Sequence, residues 1–456
     1  MEELKNKTFF VFGLSRSGKA TLDFLYSKNI TNIYAWDDNK ELVKVCQNQH
    51  KNSTIKFISY NDLDWSKINI LVTSPGVPLY APKPHKTAEL ARKNKCKIIC
   101  DVELLYLDNP NSKFIGITGT NGKSTTTALT GHILKEAGLD CVVGGNIGTA
   151  ALALGKHKIY VLEMSSYQLD LIDKTKFNQA ILLNITPDHI DRHVDMNGYI
   201  KAKKRIFMNQ IANDYGIFSI DNVNTKKVYK EELKGRGIAI PTSTETVLKK
   251  GVSVINSKIY NNINDENEIL ELGTPPDLKG KHNAENISCA FAVAILNGIN
   301  SKEIIKHLHT FKGLKHRMQL VRKINNINFI NDSKATNDVS AEQVLKTFDN
   351  IYWIVGGRSK EGGIESLRPF FDKVSQTFLI GESTKEFAKT LDKDKKPYIK
   401  CETIKKALNK AYIMAKNESS NKEINIILSP ACASFDQWKN FEVRGDAFMK
   451  MVKKLK

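Results

Sequence analysis

No run of apolar residues in this 456-residue chain reaches the roughly eighteen needed to cross a bilayer. The opening Met-Glu-Glu-Leu-Lys-Asn-Lys carries no secretory-leader pattern. A membrane span and export are therefore not expected, and the reading is cytoplasmic. The seven cysteines are odd in number and scattered, with no Cys-x-x-Cys pair, which suits a reducing compartment and packing roles. A dense basic block is also missing. The 68 Lys and Arg residues exceed the 49 Asp and Glu and give a formal net charge of +19, but they are dispersed and no aromatic-interleaved stripe accompanies them. The charge reads as a solvated, lysine-rich surface suited to anionic small substrates. Nucleic acid is not an expected partner, although a basic phosphate-loop protein that binds it is the alternative from a different class.

What is present is material for large cores. Apolar residues make up 41% of the chain and charged residues 26%, the balance of a soluble globular protein. The length calls for two to four domains, and three are expected. The organising stretch is Gly116-Ile-Thr-Gly-Thr-Asn-Gly-Lys-Ser-Thr125, set between a strand-like run at 113–117 and a helix-like run at 124–137. Small residues let successive backbone N–H groups face a phosphate while a helix directs its positive end at it. Lys123 is expected to reach the outer phosphates, and the hydroxyl of Ser124 or Thr125 to help hold Mg2+. Gly116, taken as the opening glycine, lies six residues before Gly122 rather than five. ATP or GTP binding follows.

The chain opens with a βα unit, residues 8–12 leading into Gly13-Leu-Ser-Arg-Ser-Gly18. The next strand, 33–36, ends at Asp37, where a dinucleotide fold places its ribose-binding acid. Ser15 replaces the second glycine of that fingerprint, which argues against NAD. A strand at 69–73 ends in the turn Ser74-Pro-Gly-Val-Pro78, and residues 95–101 read as a linker. Beyond the phosphate loop, strands at 159–162 and 180–185 end in Glu163-Met-Ser-Ser-Tyr-Gln168 and Thr186-Pro-Asp-His-Ile-Asp-Arg192. That places Glu163 and His189 on the sheet edge of the phosphate loop, as ligands for a nucleotide-bound metal. Residues 199–208 form a basic helix whose charge, by itself, reads as solvated. Residues 215–280 read as a β-rich extension without chemistry, and Asn283 and Asn286 as nucleotide contacts or caps. A third βα series has strands near 327–331, 352–355, 377–380 and 424–428. Each is followed by a polar turn, and four such turns on one edge make a site.

Together these marks resemble the Mur ligase family, the ATP-dependent amide ligases that build the peptide of bacterial cell-wall precursors. Gly-Thr-Asn-Gly-Lys-Ser-Thr, Gly-Asn-Ile-Gly, Asn-Ile-Thr-Pro-Asp-His-Ile-Asp-Arg, Lys-His-Asn and Lys-His-Arg317 carry the resemblance, and folylpolyglutamate synthases share them more loosely. Asn331-Asp-Ser-Lys-Ala-Thr-Asn337 and the run from Leu428 to Gly445 are similar to the branch that adds D-glutamate. The resemblance implies an α/β fold of three domains. A Rossmann-like domain at 1–98 would bind the UDP substrate, a P-loop domain with a mostly parallel sheet at 99–312 would bind ATP, and a Rossmann-like domain at 313–456 would bind the amino acid. It implies UDP-N-acetylmuramoyl-L-alanine and D-glutamate as substrates, joined through an acyl phosphate and a tetrahedral intermediate, with ATP and two Mg2+ ions as cofactors.

By the same resemblance Lys123, Glu163, His189 and Lys203 are catalytic. Ser124, Glu163, His189 and Lys203 are the metal positions, Lys203 as a carbamylated lysine. ATP falls to Gly119, Thr120, Asn121, Gly122, Lys123, Ser124, Thr125, Asn283, Arg317 and Asp332. The UDP substrate falls to Ser15, Arg16, Asp37, Ser74, Gly76 and Asn146, and D-glutamate to Lys334, Thr336, Lys360, Ser434 and Phe441. His193 stands where the family often has an aromatic residue, and Lys204 beside Lys203 leaves the carbamylated position open by one residue. A monomer is the expected form, with the third domain closing around ligands.

Overall fold

The computed structural model describes every residue except 1–3, 189, 233–234, 264–266, 279, 360–361, 419–421 and 456. Three sheets account for the strands. The first comprises β1 (Phe9–Phe12), β2 (Ile33–Trp36), β3 (Lys56–Phe57), β4 (Ile70–Thr73) and β5 (Lys97–Ile99), in the order β3-β2-β1-β4-β5 with every neighbour parallel. All four residues of β1 are buried, as a parallel strand covered on both faces requires. Residues 95–101 are thus not a linker. They supply β5 and the first residue of the helix Asp101–Asp108, because Ile98 and Ile99 complete the sheet beside β4.

The second sheet holds β6 (Lys113–Thr118), β7 (Cys141–Gly145), β8 (Ile159–Glu163), β9 (Gln179–Leu182), β10 (Tyr215–Ser219), β11 (Ile238–Ser243), β12 (Gly251–Ile255), β13 (Lys258–Asn262) and β14 (Glu268–Glu271), ordered β14-β13-β12-β11-β10-β9-β6-β8-β7. Pairing is parallel from β7 to β12 and antiparallel through β13 and β14. The β-rich reading of 215–280 holds, with the helix Val223–Glu232 added. Gly116 lies inside β6 and not in the phosphate loop. A Cβ there would come within 2.6 Å of the Phe177 ring, and a fully buried ring of that kind stabilises by about 1.5–3 kcal/mol. The glycine serves packing, which removes the odd spacing from the loop.

The first two sheets share one compact unit, Met1–Gly273 with Asn283–Leu308. One apolar cluster runs through both, from Leu79, Ala88 and Cys100 to Tyr160, Phe177, Tyr199 and Phe218. The second unit, Thr274–His282 with His309–Lys456, is built on β15 (Gln319–Ile324), β16 (Ile327–Asn331), β17 (Ile351–Gly356), β18 (Val374–Ile380), β19 (Tyr398–Glu402) and β20 (Ile424–Leu428). Their order is β15-β16-β20-β17-β18-β19, parallel except for the hairpin partner β15. The chain is therefore α/β throughout, with two five-stranded parallel arrays of Rossmann-like type flanking a mostly parallel sheet in sequence. No helix among the described residues is long and apolar enough to cross a membrane.

Candidate active site

In the first sheet the chain reverses direction of travel at β1, so the crevice between the C-terminal ends of β1 and β4 is the natural ligand position. The loop at 13–18 and the turn at 74–78 meet there. Ser74 Oγ donates to Gly13 O at 2.9 Å and lies 3.4 Å from Ser17 Oγ. Gly18 lets the helix Arg16–Ser27 approach, since a Cβ would stand 1.9 Å from Gly13 O. Asp37 accepts the backbone N–H groups of Leu14 at 2.6 Å and Asn39 at 2.7 Å, so its carboxylate shapes the loop. Ser15 and Arg16 are exposed, and the Arg16 guanidinium donates to Gly148 O at 2.6 Å. Gly76 is exposed with open space around it.

The phosphate loop leaves β6 between β8 and β9. Gly122 caps the helix Lys123–Glu136 in the left-handed region at φ +82°, and a Cβ there would meet Asn286 Oδ1 at 2.5 Å. Both facts call for glycine. Thr120 N donates to Asn184 O at 2.7 Å and Asn121 N to Asn184 Oδ1 at 2.8 Å, so residues after β9 brace the loop. Ser124 is buried at the first helical turn. Asn286 accepts from Thr126 Oγ1 and donates to Asn283 Oδ1, both at 2.9 Å; it is a brace, with Asn283 at its side.

Three charged groups converge at this loop. Lys123 Nζ donates to Gly119 O at 2.9 Å and Thr120 O at 2.7 Å. Lys203 Nζ donates to the same Gly119 O at 2.7 Å, approaches Thr118 Oγ1 at 3.4 Å and lies over the Tyr199 ring at 4.6 Å. Burial first, then the Lys123 charge, push the Lys203 amine well below the ordinary lysine value, against the opposing pull of Asp188 and Glu163. Lys204 instead points outward and pairs with Glu231 at 2.6 Å and Glu232 at 3.5 Å. The basic helix is thus not uniformly solvated, because its Lys203 face turns into the core beside Tyr199. Glu163 ends β8 level with Ile117 and Gly145. Its Oε1 accepts from Asn146 Nδ2 at 2.8 Å, while its buried Oε2 has no hydrogen-bond partner among the described residues. An open carboxylate oxygen beside a phosphate loop fits a divalent cation. His189 lies outside the described residues.

The second unit gathers its polar turns on one edge, because β16, β20, β17 and β18 run parallel. Asp332 accepts from Ser429 Oγ at 2.8 Å and Met318 N at 3.1 Å, and burial pushes its carboxyl up to about 7. Lys334 Nζ lies 5.4 Å from the Phe441 ring centre, Thr336 N donates to Lys334 O at 2.9 Å, and Ser434 is buried. Arg444 ties the two main turns together, donating to Ser333 Oγ at 3.0 Å, Ser333 O at 2.8 Å and Cys432 O at 3.1 Å. Arg317 belongs to this unit and Asn283 to the first. Lys360 lies outside the described residues.

Matches to known proteins agree with this layout. Residues 117–294 match the Mur ligase middle domain, and residues 316–428 match the Mur ligase, glutamate ligase domain. A UDP-N-acetylmuramoylalanine–D-glutamate ligase of Rickettsia felis is 42% identical over 97% of this chain and 96% of its own. The chain belongs to the Mur ligase family. A second family member, the enzyme of the same name from Rickettsia prowazekii, is 41% identical over 100% of this chain and 99% of its own. The fold of the family is also seen in UDP-N-acetylmuramate-alanine ligase MurC from Thermotoga maritima, with TM-score 0.60, 17% identity, and 99% and 100% of the two chains covered. Sequence reasoning missed the buried Tyr199, the roles of Asn184 and Arg444, and Arg192, whose guanidinium donates to Gly76 O at 2.8 Å. Arg192, Asn184 and Arg444 stand inside the motif runs, whereas Tyr199 carries no motif signal.

Proposed function

We propose that this Mur ligase joins D-glutamate to UDP-N-acetylmuramoyl-L-alanine at the expense of ATP, a step in peptidoglycan precursor synthesis. The observation that carries the reading is the pair of lysine amines, Lys123 and Lys203, on one carbonyl of the phosphate loop, with the open oxygen of Glu163 on the neighbouring strand. The two Rickettsia relatives support the choice of substrates.

The muramoyl-alanine carboxylate attacks the γ-phosphorus and ADP leaves. The amine of D-glutamate then adds to the acyl phosphate and loses a proton, and phosphate departs as the amide forms. Lys123 and the N–H groups of Gly119, Gly122, Ser124 and Thr125 offset phosphate charge, while Thr120 and Asn121, tied through their N–H groups to Asn184, shape the ATP loop. Asn283, Arg317 and Asp332 complete the ATP contacts. Ser15, Arg16, Asp37, Ser74, Gly76 and Asn146 hold the UDP substrate, and Lys334, Thr336, Lys360, Ser434 and Phe441 hold D-glutamate. Two lysines suit an amino acid with two carboxylates.

Ser124, Glu163, His189 and Lys203 would hold Mg2+, which offsets crowded phosphate charge when bound. A cation makes a poor metal partner, but a neutral amine adds CO2 and releases a proton to give an anionic carbamate. Burial lowers the Lys203 value and so favours that neutral amine. Phosphate release from ATP, measured with UDP-N-acetylmuramoyl-L-alanine and D-glutamate, L-glutamate or no amino acid, tests the reading. Release is expected with D-glutamate alone. Release with another amino acid overturns the assignment of the second unit, and none under any condition overturns the ligase reading.

A further inference from the structure

Arg192 is absent from the residues assigned above, yet its guanidinium joins two segments beside the site. It donates to Gly76 O at 2.8 Å and Val77 O at 3.0 Å, and reaches Pro75 O at 3.4 Å. The same group lies 4.3 Å from the Tyr167 ring centre. Tyr167 belongs to the short helix Ser166–Leu169 that follows Glu163, fixed by the reciprocal cap of Ser165 and Gln168. The next residue, His193, places Nε2 2.9 Å from Ser166 Oγ. A planar fork of donors is the side chain that can join several carbonyls at once while stacking on a ring.

The segment that carries Arg192 is the one that braces the phosphate loop. Asn184 accepts from Thr120 N and Asn121 N, and Thr186 N donates to Thr120 Oγ1 at 3.0 Å. Thr120 Oγ1 donates in turn to Thr186 O at 3.1 Å and lies 3.2 Å from Tyr199 OH, whose ring carries Lys203. A contiguous path of contacts therefore leads from the turn at 74–77 through Arg192 to the Tyr167 ring, from there to the His193 ring at 5.6 Å and the Tyr199 ring at 5.4 Å, and so to Thr120. Such a network transmits a bias when a ligand at one end orders its segment. The 74–77 turn is well placed for this, because Gly76 is exposed with open space around it.

We propose that Arg192 is a positioning residue that couples the 74–77 turn to the phosphate loop, so that filling the UDP-substrate site tightens nucleotide binding. The inference rests on the proposed function for the identity of that site. Its test is the Kd of the full chain for a non-hydrolysable ATP analogue with Mg2+, measured with and without saturating UDP-N-acetylmuramoyl-L-alanine. The unaltered protein is expected to bind the analogue about fivefold or more tightly when the UDP substrate is present, and Arg192→Ala to reduce that gain below about twofold. The Kd for the analogue alone should stay within about twofold, a split that general loosening of the fold would not give. Arg192→Lys keeps the charge without the fork and is expected to lose the coupling as well. If Arg192→Ala does not fold, Tyr167→Leu takes its place by removing the ring under the guanidinium, with a reduced gain expected. Coupling of unchanged size in these variants, or none in the unaltered protein when both ligands bind, overturns the inference. Failure of the UDP substrate to bind at all overturns the proposed function instead.

Discussion

Lys203 in the first unit and Arg444 in the second are each about 1% exposed, but their surroundings differ. Arg444 has its donors matched by Ser333 and Cys432, with two nitrogens on the Cys432 carbonyl. Among the described residues Lys203 has one close carbonyl, one distant hydroxyl and a ring face, and it stands beside a second lysine. An under-paired buried cation costs several kcal/mol. The difference separates a scaffold from a reactive group. Arg444 holds two turns in shape, while Lys203 is kept in an uncomfortable state that favours its neutral amine.

The sharpest way to break this contrast is to truncate each side chain. Lys203→Ala should slow phosphate release by about a thousandfold or more, ~4 kcal/mol in barrier, while the urea midpoint stays near that of the unaltered protein. A short carboxylate in the assay should restore part of the rate. A collapse of stability with rate retained in the folded fraction would reverse the assignment. Arg444→Ala should instead lower unfolding stability by about 3–5 kcal/mol, since it leaves buried carbonyls without donors. Urea denaturation reads this directly, and an unchanged midpoint would remove Arg444 from the scaffold.

A smaller effect sharpens the second side of the comparison. Burial is the main reason the Asp332 carboxyl is raised to about 7, against the pull of Ser429, Met318 and the two arginines Arg317 and Arg444. A raised carboxyl favours the folded state in its protonated form. That contribution is complete below the ordinary carboxylate value and is lost as pH rises through about 7. Stability should therefore fall by about 1 kcal/mol between about pH 6 and pH 8, and Asp332→Asn should flatten that slope.

Much of this was legible in the chain itself. Continuous apolar runs ending in glycine or polar turns placed β1, β6, β8, β16, β17 and β20, because parallel strands buried on both faces read that way. Short or mixed strands did not show. β5 looked like a linker because it has three residues, and β19 was not singled out because Lys400 and Glu402 interrupt it. Glu163, Ser124 and Lys123 were readable from their places at strand and helix ends. Lys203 was not, since a Lys-Ala-Lys-Lys helix is polar by composition and tertiary packing alone selects which lysine turns inward. Arg192 and Arg444 escaped for a related reason: both act on backbone carbonyls, whose positions a residue pattern does not record.

All seven cysteines, at 46, 96, 100, 141, 289, 401 and 432, are free and buried. Burial raises each thiol above its ordinary value, so the reactive thiolate is scarce at neutral pH. The folded protein thus offers little background to maleimide dyes. A cysteine introduced on the surface of each compact unit would take a fluorophore selectively, and energy transfer between the two would report whether the distance between them changes during turnover without first stripping the chain of its natural sulfur.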